Sequence, residues 1–319
     1  MKETPLVIAA MMLLCFPAYS QEADDLGNSA AELTVVARAE YPLDNTSLYT
    51  LFEGNLSDNL SYSVANHWLS VEPGLLYANT LRSDDVNWLD WAYLTWSFDS
   101  FEISAGKDML PWGTMEMDEY DFDIHKPFSS SVWNSLPIYQ WGVRGSWLPT
   151  EELTFDLRLS SSPYGEHPFA SGLFALGARA HYTAENTDFM VAYNAMQWDK
   201  GEAIGAFSAG IAQTFGDLTL GVDFNSRPGD DSFIFDSGFA TALKATYAVS
   251  DEITVKGHAS YEKYDRFDWY DARTGAVVEW CPIENLRVHG LAGWSFGDFY
   301  SGALYSIGVT YTFSTSFGK

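Results

Sequence analysis

From residue 31 to the C-terminus, apolar and polar side chains alternate with a period of two, interrupted at intervals by short polar clusters. Successive side chains on a β-strand point to opposite faces, so this alternation predicts strands with one apolar face each. Sixteen segments carry it: 32–41, 47–55, 60–69, 88–98, 101–107, 138–148, 153–161, 173–184, 189–198, 206–215, 218–225, 239–249, 253–262, 275–281, 286–296 and 303–313. No stretch carries a convincing helical periodicity. The connections fall into two classes. Seven are tight and polar, at 57–59, 99–100, 149–152, 185–188, 216–217, 250–252 and 282–285. Those between them are mostly longer and richer in charge and aromatics, at 70–87, 108–137, 162–172, 226–238 and 263–274, with three short exceptions at 42–46, 199–205 and 297–302.

Tight turns on one side and long loops on the other predict an all-β, antiparallel, up-and-down barrel that crosses a membrane. With both ends of the chain on the short-turn side, the strand count is even. The charges test the prediction, because they play no part in choosing the apolar phase. That phase puts Leu153, Phe155, Leu157 and Leu159 outward, with Tyr139, Trp141, Val143 and Trp147, and with Tyr305, Ile307, Val309, Tyr311 and Phe313. Arg38, Arg144, Arg158, Arg179, Lys244, Lys256 and Arg287 then fall on the opposite face. So do Glu40, Glu53, Glu102, Asp156, Asp223, Glu262 and Glu279. Only Asp90, near the loop end of its strand, is placed outward. A charge facing lipid at mid-depth costs about 2–4 kcal/mol, so exposure to hydrocarbon predicts this exclusion.

A water-soluble β-sandwich would also keep charge from its buried face. Two features disfavour it: a soluble sheet of this size has edges to protect, and Trp68, Trp88, Trp147, Trp198, Trp280 and Trp294 crowd the strand ends, as interfacial girdles do. The composition agrees, with 12 Trp, 18 Tyr and 21 Phe. A formal charge of −26 argues against attraction to nucleic acid or anionic lipid.

The first residues predict a secretory signal over 1–20: Lys2 gives a positive charge, 6–16 is an apolar run, and Ala18-Tyr19-Ser20 offers a cleavage site before Gln21. Lipidation at Cys15 is disfavoured by bulky Leu14. The mature chain then reads as a short segment, 21–31, followed by the barrel, 32–319. Its one cysteine, Cys281, allows no internal disulfide, and a lone thiol in an oxidising compartment is an ordinary apolar residue. The six histidines have neither metal-ligand spacing nor a motif that places a Ser or Asp beside them, so no cofactor, metal or catalytic constellation is expected.

The last strand reads Ser306-Ile307-Gly308-Val309-Thr310-Tyr311-Thr312-Phe313. It resembles the C-terminal signal read by the barrel-assembly machinery, except that six residues, 314–319, follow Phe313; Phe317 takes that place if the register shifts. The whole arrangement resembles the sixteen-stranded bacterial outer-membrane porins. Ile103-Ser104-Ala105-Gly106-Lys107, continuing to Pro111-Trp112-Gly113, is similar to the strand-to-loop segment of general and phosphate-selective porins. The resemblance implies a water-filled channel for ions and small polar solutes, a homotrimer in outer-membrane lipid, and a third external loop that folds inward and narrows the pore.

Here that loop is 108–137, the longest connection, with Glu116, Asp118, Glu119, Asp121 and Asp123 in its middle. Facing it would be the basic inner wall of Arg144, Arg158 and Arg179 on three successive strands, with Lys244 further round. Opposed charges across a lumen make a transverse field that passes polar solutes and holds back apolar ones. A plainer expectation is that these arginines pair with inward acids such as Asp156. Tyr77, Trp112, Trp133, Trp269 and Tyr270 have faces suited to sugar rings, although girdle or loop packing accounts for them better. The rival functions are a barrel enzyme, for which no constellation is present, and a structural or adhesin barrel without a conducting pore. The short segment before the first strand leaves no room for the plug of a gated transporter.

Overall fold

The computed structural model describes residues 31–41, 45–72, 75–78, 89–111, 128, 130, 138–165, 170–226, 238–264, 268–298 and 300–317. Seventeen strands follow one another: β1 (Ala31–Tyr41), β2 (Asn45–Ser57), β3 (Leu60–Glu72), β4 (Leu75–Ala78), β5 (Trp91–Phe98), β6 (Phe101–Met109), β7 (Tyr139–Trp147), β8 (Leu153–Ser161), β9 (Phe174–Ala184), β10 (Thr187–Asp199), β11 (Glu202–Phe215), β12 (Leu218–Ser226), β13 (Phe239–Ala248), β14 (Ile253–Tyr264), β15 (Trp269–Ile283), β16 (Leu286–Gly297) and β17 (Gly302–Phe317). Each pairs antiparallel with its neighbours, and β1 pairs with both β2 and β17, so the sheet closes. The short β4 lies outside the ring: it extends the upper end of β3, while β3 itself continues the wall to β5. The barrel wall therefore has sixteen strands and no free edge, which resolves the edge problem by closure.

The faces separate as the alternation predicts. On β8, Leu157 is 57% exposed while its neighbour Arg158 is 1% exposed. Tyr305, Ile307, Val309, Tyr311 and Phe313 on β17 are all exposed, whereas Ser306 and Thr310 between them are buried. The outward aromatics form two bands. Phe207, Phe224, Phe239, Tyr261 and Tyr270 make a ladder across five successive strands near the loop side, with ring centroids 5.8 to 6.5 Å apart. Near the turn side, Trp147 stacks between Phe101 at 6.4 Å and Phe155 at 5.5 Å. On β13 the bands are marked by Phe239 and Tyr247. Eight residues at about 3.3 Å each, inclined by about 40°, put the bands about 20 Å apart in depth, close to the apolar belt of an outer-membrane barrel. Tyr270 thus belongs to a girdle, not to a sugar platform.

Four boundaries differ from expectation. The segment 263–274 is mostly strand: β14 runs to Tyr264 and β15 starts at Trp269. The alternation there is muted because the lipid-facing residues, Ala272 and Thr274, are small or polar. The connection expected at 199–205 contracts to Lys200 and Gly201, the glycine adopting φ +85°. The last strand continues past Phe313 to Phe317, which pairs with Ala31, because β1 offers backbone partners along its whole length. The connection 70–87 contains β4. Asp90, expected outward, is buried at the entrance to β5. The segments 1–20 and 21–30 lie outside the described residues.

Candidate functional site

The inner face combines polar residues that are costly to bury unless they find partners. Seven inward cations lie within salt-bridging distance of a carboxylate: Arg38, Arg144, Arg158, Arg179, Lys244, Lys256 and Arg273. The expected plainer arrangement, a cation paired with an inward acid, is therefore present at these seven positions.

The densest cluster sits where β6 leads into the 108–137 connection. Strict alternation fails at Gly106, whose φ of +143° only glycine adopts readily, and where a Cβ would meet the Ala92 carbonyl. Beyond it Lys107 and Asp108 are both buried. The Lys107 ammonium donates to the Leu89 carbonyl at 2.9 Å. Asp108 Oδ2 lies 3.0 Å from Arg144 Nη1 and 3.0 Å from Arg158 Nη1. Arg144 and Arg158 are direct cross-strand partners on β7 and β8, a placement of like charges that opposes pairing. The shared carboxylate offsets it. Arg158 also donates from Nη2 to the carbonyls of Asp108, at 3.0 Å, and Gln140. It thereby clamps the outgoing and returning ends of the connection. Arg144 is freer, its side chain 21% exposed and its guanidinium 5.8 Å from the centre of the Tyr93 ring.

The third predicted arginine, Arg179 on β9, binds Asp156 at 2.9 Å, and Ser146 donates to the same carboxylate at 2.6 Å. Lys244 on β13 pairs with Asp223 at 2.6 Å and is buried. The structure thus brings Arg144 and Arg158 together, sets Arg179 beside them on the next strand, and leaves Lys244 apart. Glu116, Asp118, Glu119, Asp121 and Asp123 lie outside the described residues.

Sequence reasoning missed three features. Arg273, expected in a loop, is an inward residue of β15 that bridges Asp271 and, at 3.3 Å, Glu262. On β1, β16 and β17, Arg38 holds Glu40 at 2.6 Å, and His289 Nε2 lies 3.6 Å from the other Glu40 oxygen across Gly308, where a Cβ would meet the histidine ring. The inward parity of all three was readable, but their meeting required the register. The third is apolar. Leu110 and Ile138, at the two ends of the connection, are buried against Ala175, Met196, Ile204, Ala206 and Ala240 of the inner wall. Pro111 rests on Gly177, and the Asn194 amide donates to the Pro111 carbonyl at 2.9 Å. The stem of the longest connection accordingly leans into the barrel, as expected of an inward-folded third loop.

A closed sixteen-stranded antiparallel wall, greasy outside and charged within, with the stem of its longest connection turned inward, is a fold found among outer-membrane barrels such as porins. No protein-family model and no curated protein matches the chain in sequence. Solved structures do match in fold. A triple mutant of Rhodopseudomonas blastica porin superposes with a TM-score of 0.60 at 15% identity, covering 89% of this chain and 99% of that one. A loop-deletion mutant of OmpT, an outer membrane protein of Vibrio cholerae, gives 0.60 at 13% identity, covering 90% and 98%. A trimer form of OmpT gives 0.57 at 11% identity, with the same coverage. At these identities the likeness is one of fold.

Proposed function

We propose that the chain is a bacterial outer-membrane porin, a water-filled channel for passive diffusion of ions and small polar solutes. In this reading residues 1–20 direct export and are removed, the final strand is recognised by the barrel-assembly machinery, and three copies assemble in outer-membrane lipid. A trimer is suggested by one structurally similar protein, described in a trimer form. The observation that carries the reading is the division of the wall: apolar residues and two aromatic bands outside, ionised residues inside.

The constriction is proposed to lie between the acidic stretch 116–123 and the inner wall, where Arg144 and Arg179 supply positive charge and Arg158 holds the loop stem. Lys244, closed by Asp223, contributes less. Changing Arg144 and Arg179 together to glutamine is expected to shift the reversal potential in a salt gradient toward cation preference; an unchanged potential removes them from the filter. Deleting 114–126 is expected to raise single-channel conductance, whereas a fall or no change places that segment outside the pore. Swelling of vesicles in sugars of graded size tests the proposal as a whole: rates should fall with solute size.

The dense salt bridging of the lumen is the one feature that favours the alternative, a structural or adhesin barrel without conduction. Vesicles that fail to swell in even the smallest sugar would support it. A catalytic relay centred on His181 is disfavoured by geometry. His181 Nε2 meets both Asp188, at 2.8 Å, and Thr183, at 3.0 Å, on one nitrogen, whereas a relay triad uses the two ring nitrogens for different partners.

A further inference from the structure

Phe128 is 1% exposed although it belongs to the longest external connection. Its ring stacks on His258 of β14, with centroids 5.1 Å apart and planes 13° from parallel. It packs against Val277 of β15, Leu291 of β16 and Leu304 of β17. Beneath it are Gly275 and Gly293, where any Cβ would occupy the space of the phenyl ring. These residues form one cross-strand row, His258 beside Gly275, Gly275 beside Gly293, and Gly293 beside Leu304. Three consecutive inward positions that lack bulk or present a flat ring make a notch shaped for one aromatic side chain. An apolar ring on an otherwise charged wall is stable there because the notch keeps both its faces from water.

The position in the ring matters as much as the fit. The connection leaves the wall at β6 and returns at β7. From β7 round to β15 is eight strands, and from β6 the other way to β15 is seven. Phe128 is therefore seated half a turn from where its loop begins. The stem contacts lie between, on β8, β9, β10, β11 and β13.

We infer that Phe128 is a positioning residue for the channel, holding its connection against the inner faces of β14, β15, β16 and β17, half a turn from the stem. The inference rests on the porin reading. Among the accessible inward residues away from these contacts are Glu53 and Tyr93, with Arg144 beside them.

Two measurements test it separately from the porin reading. In a Cys281→Ser background, Phe128→Cys with Val277→Cys should form a disulfide under mild oxidation of the folded, membrane-inserted barrel. Phe128→Cys with Ser63→Cys should not. Linkage at Ser63→Cys instead of Val277→Cys overturns the seat. In planar bilayers, Phe128→Ala should raise single-channel conductance and widen the solute-size cut-off, with the thermal unfolding of the barrel unchanged. Closing the Val277→Cys disulfide should restore wild-type conductance. If wild type conducts and Phe128→Ala conducts identically, the positioning role is wrong and the porin reading stands. If wild type passes no current while the disulfide forms, the porin reading fails and the role of Phe128 in conduction falls with it.

Discussion

Arg158→Ala destabilises the folded barrel by about 3 kcal/mol, near the lower end of what removal of one member of a buried ion pair costs. The figure is not larger because Arg144 still holds Asp108 after the change. It is not smaller because two main-chain carbonyls, those of Asp108 and Gln140, lose their donor in a place where Arg158 was 1% exposed. Urea-induced unfolding in lipid vesicles, followed by tryptophan fluorescence, measures it. A loss below about 1 kcal/mol, the range of exposed pairs, would show that the guanidinium is solvated and does not clamp the loop stem.

The residue immediately before it gives the second large effect through the opposite environment. Leu157→Arg places a charge at the middle of β8 on the outward face, where leucine is 57% exposed. Hydrocarbon at that depth makes the change cost about 2–4 kcal/mol. The same unfolding experiment reads it, and conservative Leu157→Met should be nearly silent. An arginine tolerated at 157 without loss would mean that this face is not against lipid. Residues 157 and 158 thus carry the whole argument in miniature: adjacent in sequence, they prefer opposite solvents, and each is expected to fail in the environment of the other.

The barrel was legible in the sequence because its cause is local. A strand between lipid and a wet interior must alternate, and Leu153, Phe155, Leu157 and Leu159 against Asp156 and Arg158 show the phase without reference to any other strand. The phase blurs where the reason for it weakens. Ala272 and Thr274 face outward without bulk, so the start of β15 read as loop, and Gly106 turns the end of β6 out of phase. The inner site was legible only in part. Parity put Arg144, Arg158 and Arg179 inside, but their roles depend on partners far along the chain. Asp108, fifty residues from Arg158, decides that this arginine holds a stem instead of lining a path. Likewise nothing near Phe128 announces its seat, since Gly275 and Gly293 form one notch only once β15 and β16 are in register. Glycine on an inward strand position is ambiguous until the opposite side chain is known.

The central claim is that ionised side chains line a water-filled, conducting path inside a closed wall that meets hydrocarbon outside. Single-channel recording of the purified mature barrel in a planar bilayer tests it most directly. The account predicts discrete current steps, linear in voltage near zero, whose reversal potential in a salt gradient moves when Arg144 and Arg179 are neutralised. A correctly folded barrel that inserts into the bilayer and passes no current would contradict it.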